Sequence, residues 1–284
     1  MANNPAFNRL EKDARSGYAG FRTDGGGATG AAGATHATTD QLSAQQLQEM
    51  YSAPSALRPG TDRAVTMDDV IMKTLGLFAV VIVMAAVGWG VATVNPGLGV
   101  MVWMGGMVAT LVLGLVIAFK KTLSVPLIVG YAVVEGLFVG AVSQFFNGWY
   151  PGIVAQAVLA TLATFAGMFI AYKVGLIKVT SKFRRIMTMA IFGYAIFAVV
   201  NFGYAMFTST PFGFGGTGAL GIGISLFAVG LASLSLALDF DAIEYAVKSG
   251  APQKYSWLLA HGLIVTLVWL YIEFLRLIAR LRSE

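Results

Sequence analysis

Long apolar blocks dominate the chain after about residue 65. Seven such blocks occur, each close to the length of about 20 residues that crosses a hydrocarbon core of about 30 Å. They predict membrane spans at residues 70–94, 99–119, 125–146, 153–173, 185–208, 217–239 and 257–279. The breaks between them contain Asn, Pro, Gly or Lys, which is typical of turns. The pattern therefore predicts an all-α, polytopic membrane protein with seven transmembrane helices.

Residues 1–65 follow a different pattern. They are rich in Ala, Gly, Thr and Ser and include the run DGGGATGAAGATHATT at residues 24–39. Such a segment buries too little apolar area to offset the entropy of ordering it. We therefore predict a disordered cytoplasmic arm over residues 1–65 and a seven-span transmembrane domain over residues 66–284. Thr66 and Asp69 have the spacing of a capping box at the start of the first span.

Composition agrees with a membrane protein and excludes several kinds of site. Apolar residues make up 57% of the chain, charged residues 12%, and the mean hydropathy is +0.73, whereas a soluble domain carries about a quarter charged residues. The chain has no cysteine, so disulfides and Cys-based metal sites are impossible. The net charge is +5. In a membrane protein, Lys and Arg near the helix ends reflect orientation and contact with anionic lipid, so we expect no nucleic-acid binding.

Basic residues are confined to alternate short loops. They occur in the second, fourth and sixth loops: Lys120, Lys121, Lys178, Lys182, Arg184, Arg185, Lys248 and Lys254. The positive-inside rule therefore places these loops and the N-terminal arm in the cytoplasm, for a protein of the cell (plasma or inner) membrane. The C-terminal residues Arg276, Arg280 and Arg282 do not fit. Either the last span crosses against the rule or it does not cross fully.

Three acidic residues fall within the predicted spans: Glu135, Asp239 and Glu273. An ionisable group near the bilayer centre costs about 2.5–3.5 kcal/mol on insertion scales, and such groups are usually functional. We interpret them as candidates for ion or proton passage. A structural role is the alternative. Glu135 could join helices, since Gly136 and Gly140 allow close approach, and Glu273 could pair with Arg276 or Arg280 on its own helix.

The stretch LALDFDAIEY, residues 236–245, concentrates three carboxylates at the end of the sixth block. If it is helical, Asp239 and Asp241 differ by about 200° and face opposite sides. We expect Asp239 to face the bundle, and Asp241 and Glu244 to face water or Lys248.

His261 is a further polar residue in an apolar span. We expect it to be packed or to influence a neighbouring carboxyl group. With Ser225 it could imitate an intramembrane protease dyad, although the glycine that should follow the serine is missing. The chain has no zinc-protease, P-loop or nucleophile-elbow motif, so we expect no enzymatic activity and no cofactor.

Two short motifs resemble a known family. Leu238-Asp239-Phe240-Asp241 occupies the place of an L-Y-D-T-Q-like sequence at the end of the sixth span, of which only the aspartate is retained as Asp239. Glu135-Gly136-Leu137 matches an E-G-L element. Over about residues 70–280, the chain resembles the transmembrane Bax inhibitor motif family, most closely its bacterial branch.

The resemblance implies a pH-sensitive calcium leak channel gated by two aspartates of the last two spans. Asp239 matches the first, but Thr266 falls where the second would be. Glu273, seven residues further on nearly the same face and about 10 Å along the axis, could replace it. The implied gate and ion pathway comprise Asp239, Glu135 and Glu273, with Asp241, Thr266 and His261 as secondary candidates. Weak calcium binding is the most that these carboxylates imply, and no metal site is expected.

Two other classes of function stay open. The chain could be a membrane stress or regulatory protein that binds a partner, such as a membrane protease, through residues 1–65. A proton-coupled transporter is a weaker alternative, because no inverted repeat of interrupted spans is visible.

Overall fold

The computed structural model describes residues 63–283 except 121, 209 and 211. In this part of the chain there are seven helices and no strand: α1 Met67–Val94, α2 Pro96–Phe119, α3 Val125–Trp149, α4 Ile153–Lys173, α5 Ser181–Thr208, α6 Ala219–Lys248 and α7 Tyr255–Arg282. Each is long and apolar enough to cross a membrane. The predicted all-α fold with seven transmembrane helices is confirmed. Residues 1–62 of the predicted arm lie outside the described residues.

The sixth helix is longer than predicted. It was expected to end at Asp239 but continues to Lys248, so Asp239 lies about 14 Å before its end. The added turns are stabilised by packing, because Phe240 and Ile243 are buried in the same cluster as Val65 and Leu236.

The start of α1 has the predicted capping box. The Thr66 backbone N–H donates to Asp69 Oδ2 at 3.1 Å, and the Asp69 N–H donates to Thr66 Oγ1 at 3.2 Å. Two of the helix's free N–H groups are thereby satisfied.

Close packing of α1 against α3 depends on glycine. A Cβ at Gly136 would lie 2.6 Å from the Val81 carbonyl oxygen, and one at Gly140 would overlap the Ala85 carbonyl. This agrees with the predicted close approach at Gly136 and Gly140, since only a hydrogen fits between the two backbones.

Helix α7 is the centre of the bundle. It packs against α1, α3, α4 and α6, whereas α3 and α6 do not contact each other. More than half of its most apolar stretch is buried, compared with a small fraction of α2 and α5. Side chains from α3 and α6 therefore meet α7 from different directions.

The two ends of α7 form hydrogen bonds at opposite ends of the bundle. Near its start, the Gln253 N–H donates to the Arg63 carbonyl at 2.8 Å and the Val65 N–H donates to the Ala251 carbonyl at 2.8 Å, which joins the α6–α7 loop to the segment before α1. Near its end, Arg282 donates to the Pro151 carbonyl at 2.9 Å in the α3–α4 loop.

Helix α7 therefore extends from one end of the bundle to the other. The three C-terminal arginines lie toward the side of the loops without basic residues. Arg276 pairs with Glu273 at 3.4 Å, Arg280 donates to the Gly216 carbonyl at 3.1 Å, and Arg282 donates to Gln156 at 2.7 Å. Each of these three arginines is therefore bonded to another part of the protein. The positive-inside rule concerns basic residues in short loops.

Candidate functional site

Asp239 is held against α7 without a cationic partner among the described residues. Its Oδ2 is enclosed and accepts no hydrogen bond from any described residue. Its Oδ1 faces Gly262, where a Cβ would lie 3.9 Å away, and the Thr266 side chain contacts the carboxyl group. Asp239 as a whole is half-buried, but an enclosed carboxyl oxygen without a hydrogen bond is costly, so this arrangement is unusual for a purely structural residue.

Thr266 is the side chain that α7 presents to Asp239. Its hydroxyl also donates to the Gly262 carbonyl at 3.2 Å. A hydroxyl group therefore occupies the place in which the family resemblance implies a second aspartate, and the two-aspartate pair is not formed here.

Glu135 is the second buried acid with a free oxygen. It is 3% exposed; Tyr131 donates to its Oε1 at 2.8 Å, and its Oε2 has no hydrogen-bond partner in the part of the chain that the structure describes. The ring of Tyr131 packs edge-on against His261 of α7, with centroids 4.5 Å apart. Glu135, Tyr131 and His261 thus form a polar cluster between α3 and α7.

Glu273 has a different environment. Its Oε1 accepts hydrogen bonds from Tyr194 at 2.7 Å and from Trp269 at 3.1 Å, and it pairs with Arg276 at 3.4 Å. The structural alternative proposed from the sequence, pairing with Arg276, is the arrangement found. No hydrogen bond or ion pair among the described residues joins Glu273 to Asp239.

Asp241 and Glu244 are paired on the other side of α6. Arg184 donates to Asp241 Oδ2 at 2.5 Å, Tyr172 donates to Glu244 at 2.6 Å, and Lys248 pairs with Glu244. The expected separation of Asp239 from Asp241 and Glu244 is present. The ion pair between Arg184 and Asp241 was not predicted, because it joins residues of two different helices.

Ser225 and His261 do not form a dyad. Arg280 donates a hydrogen bond to the Ser225 hydroxyl, near the start of α6, whereas His261 packs against Tyr131, near the start of α7. Antiparallel packing of the two helices places these residues toward opposite ends of the bundle. The hydrogen bonds of Arg280 to this region were not predicted from the sequence. Its side chain also donates to the carbonyls of Gly221 at 2.8 Å and Phe212 at 3.1 Å.

The acids do not converge on one metal centre. Among the residues that the structure describes, no group of three His, Asp or Glu side chains lies close enough to hold an ion. Asp239 and Glu135 reach α7 from α6 and α3, which do not touch. They form two polar sites, or stations, at neighbouring positions of α7: Asp239 faces Gly262 and Thr266, and Glu135 reaches His261 through Tyr131.

A seven-helix bundle whose central helix packs against two acids, neither with a cationic partner among the described residues, defines a membrane protein with a polar core site. The chain matches the family model described as Bax inhibitor 1 like over residues 4–283, and it belongs to this family. The match begins at residue 4, so it includes the arm that the sequence resemblance left outside. A search of curated proteins found no match to this chain.

Proposed function

We propose that the protein is a pH-sensitive leak for calcium or a similar cation, with Asp239 and Glu135 as the charged stations of its pathway. The observation that carries this proposal is the pair of enclosed carboxyl oxygens, Asp239 Oδ2 and Glu135 Oε2, that accept no hydrogen bond from residues 63–283 as far as these are described. Carboxylate oxygens are preferred calcium ligands, and intramembrane acids usually mark ion or proton pathways.

Two separate stations suit passage better than storage. Calcium takes six to eight oxygen ligands when it is held tightly, and each station offers a single carboxyl group with few neighbouring oxygens. Conduction requires sites weak enough for the ion to leave. Calcium is thus the cargo of this protein, and no resident metal or cofactor is required.

A proton and a cation compete for the same oxygens. A neutral carboxylic acid attracts a cation less than a carboxylate does, so the leak should increase as pH rises from 5 to 8. The Thr266 hydroxyl can accept a hydrogen bond from the neutral form of Asp239, and it can donate to the carboxylate by giving up its bond to the Gly262 carbonyl. The proposed pH response therefore needs only one aspartate at this station.

The first test is calcium entry into liposomes that contain a calcium-sensitive dye and the full-length protein, measured from pH 5 to pH 8. The proposal predicts entry above that of empty liposomes, with a rate that increases with pH. Equal rates with and without protein at every pH would contradict it.

The alternative function is that of a membrane stress or regulatory protein that binds a partner, such as a membrane protease, through the arm. It is favoured by the family match, which begins at residue 4 and so includes most of the arm. Arg63 and Val65, the described residues before α1, bond to the α6–α7 loop. Deleting residues 1–62 leaves these bonded residues in place. A leak should keep its calcium flux after this deletion, whereas a regulator should lose its partner.

We further propose the orientation that the loop charges indicate, with the N-terminal arm and the α6–α7 loop in the cytoplasm and the protein in the cell (plasma or inner) membrane.

A further inference from the structure

A deep groove lies between α1 and α4. These two helices do not contact each other, and α3 and α7 form the floor between them. The groove has a volume of about 480 Å³, and its walls include Phe78, Ile82 and Trp89 of α1 and Val158 and Leu162 of α4. A space of this size is comparable to small-molecule sites, which are mostly apolar with few polar groups.

The few polar groups in the groove already have partners. The Ser143 hydroxyl donates to the Val139 carbonyl at 2.5 Å and accepts from the Tyr271 hydroxyl at 2.7 Å. The Thr161 hydroxyl donates to the Ala157 carbonyl at 2.7 Å. Because the walls offer water few free hydrogen-bonding groups, the groove favours an apolar occupant over water.

The groove is continuous with the surface that faces lipid. Ile82 and Leu162 line it and are 54% and 50% exposed. It extends from Leu267, near the middle of α7, to Trp89, which lies about 8 Å before the end of α1. Its length therefore covers one half of the membrane, and tryptophan is enriched at the depth of lipid headgroups.

We propose that this groove binds one acyl chain of a bilayer lipid from the leaflet on the side of the α1–α2 and α3–α4 loops. The bilayer already covers the outer faces of α1 and α4, so an acyl chain is the apolar ligand present at the highest concentration. The acyl chain enters the groove beside Trp89. Its methyl end contacts Leu267 and the hydrogen-bonded pair of Ser143 and Tyr271. Neither Asp239 nor Glu135 lines the groove, so the proposed lipid site does not rest on the ion flux proposed above.

The test fills the groove from one wall. Ala86 lines the groove, whereas Val83 on the same helix is 61% exposed and lies outside it, which makes Ala86→Phe and Val83→Phe a matched pair. The full-length protein is reconstituted in vesicles of phosphatidylethanolamine and phosphatidylglycerol, extracted in mild detergent, and examined by native mass spectrometry. We expect one retained phospholipid per chain in the wild type and in Val83→Phe, and a loss of about tenfold or more in the retained fraction for Ala86→Phe.

A second matched pair of variants tests the proposal if Ala86→Phe does not fold. Leu162→Trp fills the groove from α4, and Leu159→Trp changes a residue that is 67% exposed outside it. Retention of lipid by Leu162→Trp, equal loss in both members of a pair, or a wild type without bound lipid would overturn the proposal. A retained molecule that is not a phospholipid, or a second copy of the chain in place of lipid, would also overturn it.

Discussion

At the residue scale, the three acids within the spans differ in their hydrogen-bonding and cationic partners. Glu273 has two hydrogen-bond donors and a guanidinium group on one oxygen, whereas Glu135 has a single tyrosine hydroxyl and Asp239 contacts a threonine. Removing a carboxylate that has a cationic partner leaves that cation uncompensated and destabilises the bundle, whereas a carboxylate without such a partner keeps its capacity to take up a proton or a cation. The three acids are therefore expected to respond differently to the loss of their charge.

Glu135→Gln should reduce calcium flux with little loss of stability. The amide oxygen can still accept the hydrogen bond from Tyr131, so the change in the free energy of unfolding should be within about 1 kcal/mol, while the charge at the station is lost. Liposome flux and thermal unfolding in detergent measure the two effects. Full flux in Glu135→Gln would remove Glu135 from the pathway.

Glu273→Gln should show the opposite behaviour. Tyr194, Trp269 and Arg276 lose a charged acceptor, which should lower stability by about 1–3 kcal/mol, while the pH dependence of flux stays that of the wild type. Thermal unfolding and the flux profile are again the measurements. An altered pH profile at unchanged stability would show that Glu273 belongs to the gate.

At the element scale, the apolar pattern predicted the helices well because a bilayer demands long uncharged segments between polar turns. The continuation of α6 beyond Asp239 was not predicted, because its last turns are held by contacts with Val65 and other distant residues. Pairs within one helix, such as Glu244 with Lys248, follow from spacing alone. The ion pair of Arg184 and Asp241 could not be predicted from spacing, because it depends on which helices are neighbours.

The packing of α1 on α3 gives a prediction at this scale. Gly140→Ala places a methyl group against the Ala85 carbonyl, and we expect it to destabilise the bundle by about 1–3 kcal/mol, as overpacking does. Gly130→Ala on the same helix is the control, since a Cβ there meets nothing within 4 Å. Thermal unfolding of the two variants should differ, and equal stabilities would contradict the close approach of the helices.

At the scale of the whole molecule, α7 runs through the bundle and joins its two sides. Its position between α3 and α6 brings Asp239 and Glu135 to one central helix, which no pattern within a single span could indicate. The side on which α7 ends could not be predicted from its arginines, because the charge pattern did not show that they are bonded to Glu273, Gly216 and Pro151.

The path of α7 predicts which residues share a side of the membrane. The chain has no cysteine, so Ser283→Cys, Gly97→Cys and Ser249→Cys each introduce a single thiol group. A membrane-impermeant maleimide added outside intact cells should label Ser283→Cys and Gly97→Cys, while Ser249→Cys should react only after the membrane is opened. Labelling of Ser283→Cys together with Ser249→Cys would contradict a full crossing of α7.

The most direct test of the proposed leak compares two aspartates that are two residues apart on α6. Asp239 has an enclosed and unpaired carboxyl oxygen, whereas Asp241 pairs with Arg184, so Asp239→Asn and Asp241→Asn remove the same charge from different environments. Calcium entry into dye-loaded liposomes, measured from pH 5 to pH 8, should lose part of its pH dependence in Asp239→Asn, where Glu135 still takes up a proton, and keep all of it in Asp241→Asn. An unchanged pH profile in Asp239→Asn would contradict the role of this aspartate as the proton-sensitive station.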